Sequence, residues 1–220
     1  MRLAAVVGLE AEARILRRRG IAVLASGADP ARARALAESQ LAAGAGALVS
    51  FGISGALDPA LATGTILLPR RVVTETGEVF VADELLRNEI ARGLGARGLV
   101  FDARDLLGRD GIVATASEKA TLFRATGAVA VDLESHIAAR AVRDRARFVA
   151  LRAVADGAGF DLPSAAFVGL HRDGRAAPFA VLRALARAPA QLPALVRLAL
   201  LTRAALSALA RSAPALPGSG

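Results

Sequence analysis

The stretch Val129–Asp156, VAVDLESHIAARAVRDRARFVALRAVAD, decides how this chain is read. The short apolar run Val129-Ala130-Val131 meets two carboxylates, Asp132 and Glu134. Ser135 is placed to cap a helix. That helix carries Ile137, Ala138, Ala141 and Val142 on one face and Arg140, Arg143, Asp144 and Arg147 mostly on the other. A second apolar run, Phe148 to Val154, ends at Ala155-Asp156-Gly157. Strand, helix, strand in this order joins parallel strands by a right-handed crossover. Glu134 and Asp156 are then expected at the same carboxyl-terminal edge of a sheet, where open α/β sheets place their ligands. Two acids at a ligand crevice suit hydroxyl binding or proton transfer. Either acid taken alone is more simply a helix cap or a turn former. It is the pair that gives the functional reading weight.

Toward the N-terminus the same alternation repeats. Leu3 to Val7 reads as a buried strand, Glu10 to Arg19 as a helix ended by Gly20, and Ile21 to Ala25 as a second strand. Pro30 suits the first turn of a helix reaching Ala43, and Ala47 to Phe51 is a third strand. Gly52-Ile53-Ser54-Gly55-Ala56-Leu57 reads as a small-residue turn after it, against which a ligand can lie close to backbone amides. Further on, Thr65 to Leu68 and Arg71 to Thr74 are strand pieces split at Pro69, and Thr74 to Val81 is a hairpin around Gly77. Asp83 to Arg92 is a helix, Gly93 to Gly98 a loop, and Gly111 to Ala116 a strand before a helix capped by Ser117. Ser164 to Leu170 reads as a short helical turn. The fold class is α/β: a single domain in three layers, with a central mixed, mainly parallel sheet flanked by helices.

Composition narrows the function. The chain has 220 residues and no Cys, which excludes disulfides and thiolate sites, and only two His, His136 and His171, which argues against a multi-histidine metal site. His136 reads as a packing residue on the helix after Glu134, and His171 as a loop residue. The net charge is +8, and Lys119 is the sole Lys. Trp and Tyr are absent, which argues against a nucleic-acid partner that stacks on aromatics. The N-terminal apolar run is too short for a signal-peptide core, so the expected location is cytoplasmic. Residues 174–220 hold no acid but include Arg175, Arg183, Arg187, Arg197, Arg203 and Arg211 among many Leu. Arg and Pro interrupt every apolar run there, so no bilayer span is expected. Two readings of this extension stand side by side. One is a terminal helix packed on the core with its basic face in water. The other is a basic amphipathic segment that touches a membrane surface or roofs an apolar site.

Four segments carry a resemblance. They are Val7 to Glu12, Phe51 to Leu57, Val131 to Ser135 and Arg152 to Asp156. In order and spacing the chain resembles the nucleoside phosphorylase and nucleosidase superfamily, in the branch of methylthioadenosine/adenosylhomocysteine nucleosidases. Glu134 to Arg140 and Ala188 to Leu195 are similar to the hopanoid-associated subgroup, which acts on adenosylhopane. The resemblance implies a catalytic domain over 1–173 and a helical extension over 174–220 packed on or near the active site. It implies Asp156 as the general acid toward purine N7 and Glu12 as the group that activates water. Glu134 would hold the ribose hydroxyls beside Asp132, with Leu133 beneath the sugar. Gly52, Ile53, Ser54 and Gly55 would lie near the nucleophile and the base, with Arg152 in the same pocket. No cofactor is implied, and a homodimer is. The chain departs from the branch in carrying Ile53 where a Ser is usual, in a short region between its first strands, and in lacking an aromatic around Ala114 to Ser117.

The expected activity is therefore cleavage of the N-glycosidic bond of an adenosyl substrate with an apolar 5′ group. Water is favoured as nucleophile because Glu12 stands where related phosphorylases carry an anion-binding loop. Arg14, Arg70, Arg71 and Arg152 keep phosphorolysis open as an alternative. A non-catalytic nucleoside-binding protein is a third reading. A dinucleotide-dependent oxidoreductase is disfavoured, since no Gly-x-Gly-x-x-Gly follows the first strand.

Overall fold

The computed structural model describes residues 1–21, 23–166, 174–175 and 177–218. His171 and the end of the turn expected over 164–170 lie outside them. The chain opens with β1 (Leu3–Val6), α1 (Glu10–Arg17), α2 (Pro30–Ala42) and β2 (Ala47–Ala56). Next come β3 (Ile66–Leu67), β4 (Arg71–Val73), β5 (Val79–Val81) and α3 (Glu84–Gly95). β6 (Phe101–Asp102), β7 (Leu106–Gly108), α4 (Ala116–Thr126) and β8 (Ala130–Asp132) follow. The chain finishes with α5 (Ser135–Val142), β9 (Arg147–Val154), α6 (Pro178–Arg187) and α7 (Leu192–Ser212).

β2 is the axis of the sheet, whose order is β5-β4-β7-β8-β2-β9-β3-β6 with β1 also paired to β2. Its first half pairs in parallel with β1, from Leu3 opposite Ala47 to Val6 opposite Ser50. Its other side pairs in parallel with β9, from Ala47 opposite Arg147 to Ser54 opposite Val154. Its last residues, Gly55 and Ala56, pair antiparallel with Val131 and Ala130 of β8.

Side chains alternate along β2 and β9 and so feed two cores. Val49, Phe51, Leu151 and Ala153 pack with Ala13 and Leu16 of α1, Leu86 and Ile90 of α3, and Ala205 and Leu209 of α7. Leu48, Ala150 and Val154 pack with Ala33 and Ala37 of α2 and with Ile137, Ala138 and Ala141 of α5. Alanines at the second contact let helix backbones approach closely, which explains an apolar yet aromatic-poor composition. The result is the three-layer α/β domain with a mixed, mainly parallel sheet.

Several local expectations are corrected. β8 and β9 are not parallel neighbours joined by a crossover, because β2 lies between them and runs antiparallel to β8. Apolar periodicity identifies a strand but carries no sign of its direction. Gly52 to Ala56 is not a turn but the second half of β2. Of the strand expected over Ile21 to Ala25, an isolated bridge from Val7 to Ala25 is present. Residues 111–115 form no strand; Thr115 rather than Ser117 caps α4, accepting from Glu118 N at 3.2 Å. α3 continues to Gly95, into the expected loop, and β6 and β7 form without an apolar run long enough to announce them. Ser135 does not cap α5; its hydroxyl is bonded to Asp132 and Ser50 instead.

One helical stretch, Pro189–Ala215, is long and apolar enough to cross a membrane by length and composition. Its second half is fastened to the domain, however, since Ala205, Ala208 and Leu209 are fully buried in the first core.

Candidate active site

A cavity of about 280 Å3 opens where β2 changes partners. Gly8, Leu9 and Glu12 reach it from the start of α1, and Ile53, Ser54 and Gly55 from β2. Asp132, Leu133 and Glu134 come from the end of β8, and Asp156 from just beyond β9. Ile112, Val113, Leu162 and Leu198 give it an apolar wall. Of the ten residues singled out in the sequence, Gly52 and Arg152 do not line the cavity. They stand behind its wall.

Glu12 is 1% exposed. Its Oε2 accepts from Gly8 N at 3.0 Å and Leu9 N at 2.8 Å, and its Oε1 accepts from Ile53 N at 2.8 Å. The side chain therefore caps its own helix and also ties that helix to β2. Burial pushes its carboxyl above the ordinary value, against the pull of the Arg152 guanidinium and the three N–H donors.

Arg152 lies on the α5 face of β9, fully buried. Its Nη2 stands 2.5 Å from Asp132 Oδ2, 3.3 Å from Glu134 Oε2 and 2.5 Å from Ser50 Oγ. Burial works against its charge, but Asp132, Glu134 and Glu12 outweigh that and raise its pKa. Register explains why it can reach them. Gly52 is opposite Arg152 across the β2–β9 pair. A Cβ there would come within 2.5 Å of Arg152 Nη1 and 2.7 Å of Glu12 Oε1. Gly8 likewise leaves room for Glu134, whose Oε1 would stand 2.6 Å from a Cβ on that residue. The glycines are needed for close approach of charged groups rather than for a turn.

Glu134 is buried beside two other acids. Burial raises its carboxyl to about 7, helped by Asp132 and Glu12 and opposed by Arg152. Asp132 is more structural than its sequence position suggests: besides the ion pair, its Oδ1 accepts from Ser135 N at 3.2 Å. Ser54 Oγ is buried with no hydrogen-bond partner among the described residues, and its residue lines the cavity.

Asp156, just beyond the end of β9, shares their cavity because Ser54 and Val154 are in register. Its carboxylate lies against the bare Cα of Gly55, where a Cβ would meet Oδ2 at 3.2 Å. Lys119 Nζ contacts Asp156 Oδ2 at 2.5 Å. Sequence reasoning did not select Lys119, Ser50 or Ser135. The available signal was their type: a lone Lys among arginines, and a hydroxyl within each apolar element.

Among the described residues no aromatic side chain lines the cavity. Arg14 and Arg71 are mostly exposed and pair with Glu10 and Asp105, and Arg70 does not reach the cavity either. His136 is buried on α5, with Nε2 3.1 Å from Asp110 Oδ1.

The assembled fold is similar to solved nucleosidase structures. The methylthioadenosine/adenosylhomocysteine nucleosidase of Neisseria meningitidis, in complex with methylthio-immucillin-A, matches with TM-score 0.73 and 15% identity, over 98% of each chain. The adenosylhomocysteine nucleosidase of Streptococcus pyogenes matches with TM-score 0.71 and 14% identity, over 99% of this chain and 98% of that one. Futalosine hydrolase of Helicobacter pylori matches with TM-score 0.69 and 12% identity, over 96% and 94%. A search of curated protein sequences finds no match. The model of one family, described as the phosphorylase superfamily, matches residues 9–187. With that match spanning most of the sequence and the fold agreeing from end to end, the chain belongs to the phosphorylase superfamily.

Proposed function

We propose that the protein is a purine nucleosidase that hydrolyses the N-glycosidic bond of an adenosyl substrate. The observation that carries this reading is the convergence of Glu12, Glu134 and Asp156, from three separate parts of the chain, on one cavity. Asp156 gives a proton to purine N7, so the base leaves with the electron pair of the C1′–N9 bond. Glu12 orients the water that attacks C1′ and takes up its proton. Glu134 accepts from the ribose hydroxyls, and the buried carboxylates stabilise positive charge developing on the sugar. Leu133 packs beneath the ribose, and Ile53 and Ser54 stand near the base.

Water is favoured over phosphate by the charge around the nucleophile. Three carboxylates, Glu12, Asp132 and Glu134, surround a single guanidinium that is already engaged. A phosphate dianion entering there finds that guanidinium already paired with Asp132 and Glu134. Phosphorolysis is the outcome to test against: free ribosyl product without phosphate supports hydrolysis, and a ribosyl phosphate overturns it.

The 5′ substituent is proposed to be large and apolar, as in adenosylhopane, giving adenine and ribosylhopane. Support comes from α7, whose Leu198 and Thr202 line the cavity. On its outer side Leu192, Val196 and Leu200 are 52%, 52% and 62% exposed, at a spacing that puts them on one face. With the arginines of residues 174–220, that face suits a peripheral contact between a cytoplasmic enzyme and an anionic membrane surface. The extension would thus serve the catalytic domain as both wall and anchor. The homodimer implied by the resemblance belongs to the same proposal, and a mass measurement in solution tests it. The deciding experiment incubates the protein with a series of 5′-substituted adenosines, with and without phosphate, and measures adenine release. Release from apolar 5′ derivatives supports the reading; no release from any member overturns it.

A further inference from the structure

Lys119 is the only lysine in the chain and is 0% exposed. It leaves the first turn of α4, a helix whose start is fixed by the Thr115 cap. Its Nζ donates to Asp156 Oδ2 at 2.5 Å, to the Phe160 carbonyl at 2.8 Å and to the Gly157 carbonyl at 3.0 Å. These three acceptors use all three hydrogens of the ammonium. The head group therefore has one position, and it fixes the loop that follows Asp156. Burying a charge this deeply is costly unless it is paired and fully bonded. An apolar residue of similar volume would fill the space at less cost. The pairing falls on the one acid that the cavity holds apart from the Arg152 cluster, and Lys119 itself lines the cavity.

We propose that Lys119 is the positioning residue of the proton donor: it holds Asp156 against Gly55 and stabilises the carboxylate that remains once the proton has gone. The inference rests on the hydrolytic reading above. As the C1′–N9 bond breaks, its electron pair passes to the base and the Asp156 proton passes to N7. The water oxygen bonds to C1′, and its released proton goes to Glu12. Exchange with solvent then returns a proton to Asp156 and removes one from Glu12. Lys119 keeps its hydrogens throughout. In the donor form Asp156 has taken up a proton from solvent and the ammonium rests on the two carbonyls; its attraction to the carboxylate returns as that proton leaves, so the contact favours the transition state over the bound substrate. Holding both the carboxyl and the 157–160 loop also orients the donor before the base arrives.

The test compares two leaving groups on one sugar: 5′-methylthioadenosine, whose base needs a proton, and the 4-nitrophenyl glycoside of 5-methylthioribose, whose phenolate does not. Lys119→Gln removes the charge and keeps an amide that can donate to the two carbonyls. Lys119→Met removes both, and Lys119→Arg restores the charge. For Gln and Met, kcat on the nucleoside should fall about a hundredfold more than on the nitrophenyl glycoside, the lower end of what general acid catalysis contributes. Arg should recover part of the loss. Equal losses on both substrates would mark Lys119 as merely structural, and no loss on either would mark it as idle; each overturns the proposal. If Met fails to fold, Gln decides alone. Asp156→Asn is run in parallel. If it too shows no selective loss, the donor assignment fails; if it does and the Lys119 variants do not, only the present inference fails.

Discussion

Two charge clusters meet at the cavity, and they are built on opposite plans. Around Arg152, three carboxylates share one guanidinium behind a wall of sheet, and the glycines at 8 and 52 make the crowding sterically possible. Around Asp156, one carboxylate faces one ammonium that a loop clamps. The first plan leaves more carboxyl groups than cations, which under the proposed hydrolysis suits a site where positive charge develops on the sugar. The second balances a single acid, which suits a group that changes charge once per turnover. Strands β8 and β9 anchor Asp132 and Arg152 of the first cluster, with Glu12 on α1 and Glu134 at the start of α5, whereas a helix turn and a short loop anchor the second. The comparison teaches that similar acids in one cavity are set in different electrostatic surroundings by the cations beside them.

The largest effect expected is on the balanced cluster. Asp156→Asn should lower kcat by about a hundredfold to ten-thousandfold, the range of a lost general acid, and should also lower stability, because it leaves the buried Lys119 ammonium without its counter-charge. Steady-state kinetics on an adenosyl substrate, with a thermal melt as control, makes the check. A comparable loss from a variant on the outer face of α7 would dissolve the distinction between the clusters.

Removing the cation of the crowded cluster should act on the fold. Arg152→Met leaves Asp132 and Glu134 buried without a counter-charge and should cost about 3–5 kcal/mol, measured by chemical denaturation. Gly52→Ala comes next. Its Cβ would collide with Arg152 Nη1 and Glu12 Oε1, groups held on several sides. A loss of about 1–3 kcal/mol is expected from overpacking, along with weaker turnover.

The crowded cluster should also show itself in pH dependence. Glu134 titrates near 7 in the fold against an ordinary 4.5, and burial raises Glu12 as well. Between those values the folded state binds more protons than the unfolded one. The contribution from Glu134 is thus complete below 4.5 and is lost as pH rises through about 7. Glu134→Gln should flatten that fall in melting temperature across the window; an unchanged slope would show that Glu134 does not carry it. The smallest effect belongs far from both clusters. Leu200→Ser, at a position 62% exposed, should change stability by no more than about 0.5 kcal/mol. In vesicle co-sedimentation it should weaken retention by anionic lipid, which would sharpen the separate role proposed for α7.

Much of this was legible in residue order. The apolar runs at Leu3, Ala47 and Phe148 are strands, the helices expected from Pro30 and near Asp83 are present, and Gly77 turns the expected hairpin with φ +86°. Lys119 was visible as an oddity of composition but not as a partner of Asp156. A contact across 37 residues between a helix turn and a loop leaves no periodic trace. The two short strands β6 and β7 were hidden for another reason. Each is two or three residues long and is held by neighbours in the sheet, not by its own pattern.

By itself the sequence determined the class of fold and the chemical types at the cavity, because hydrophobic period and side-chain chemistry are local properties of the chain. Only tertiary structure decided that β8 runs antiparallel to β2, that the Gly52 segment is strand, and which cation stands by which acid. Strand direction, register and ion pairing depend on what lies across a hydrogen bond or a packed face, and residue order does not encode those neighbours directly.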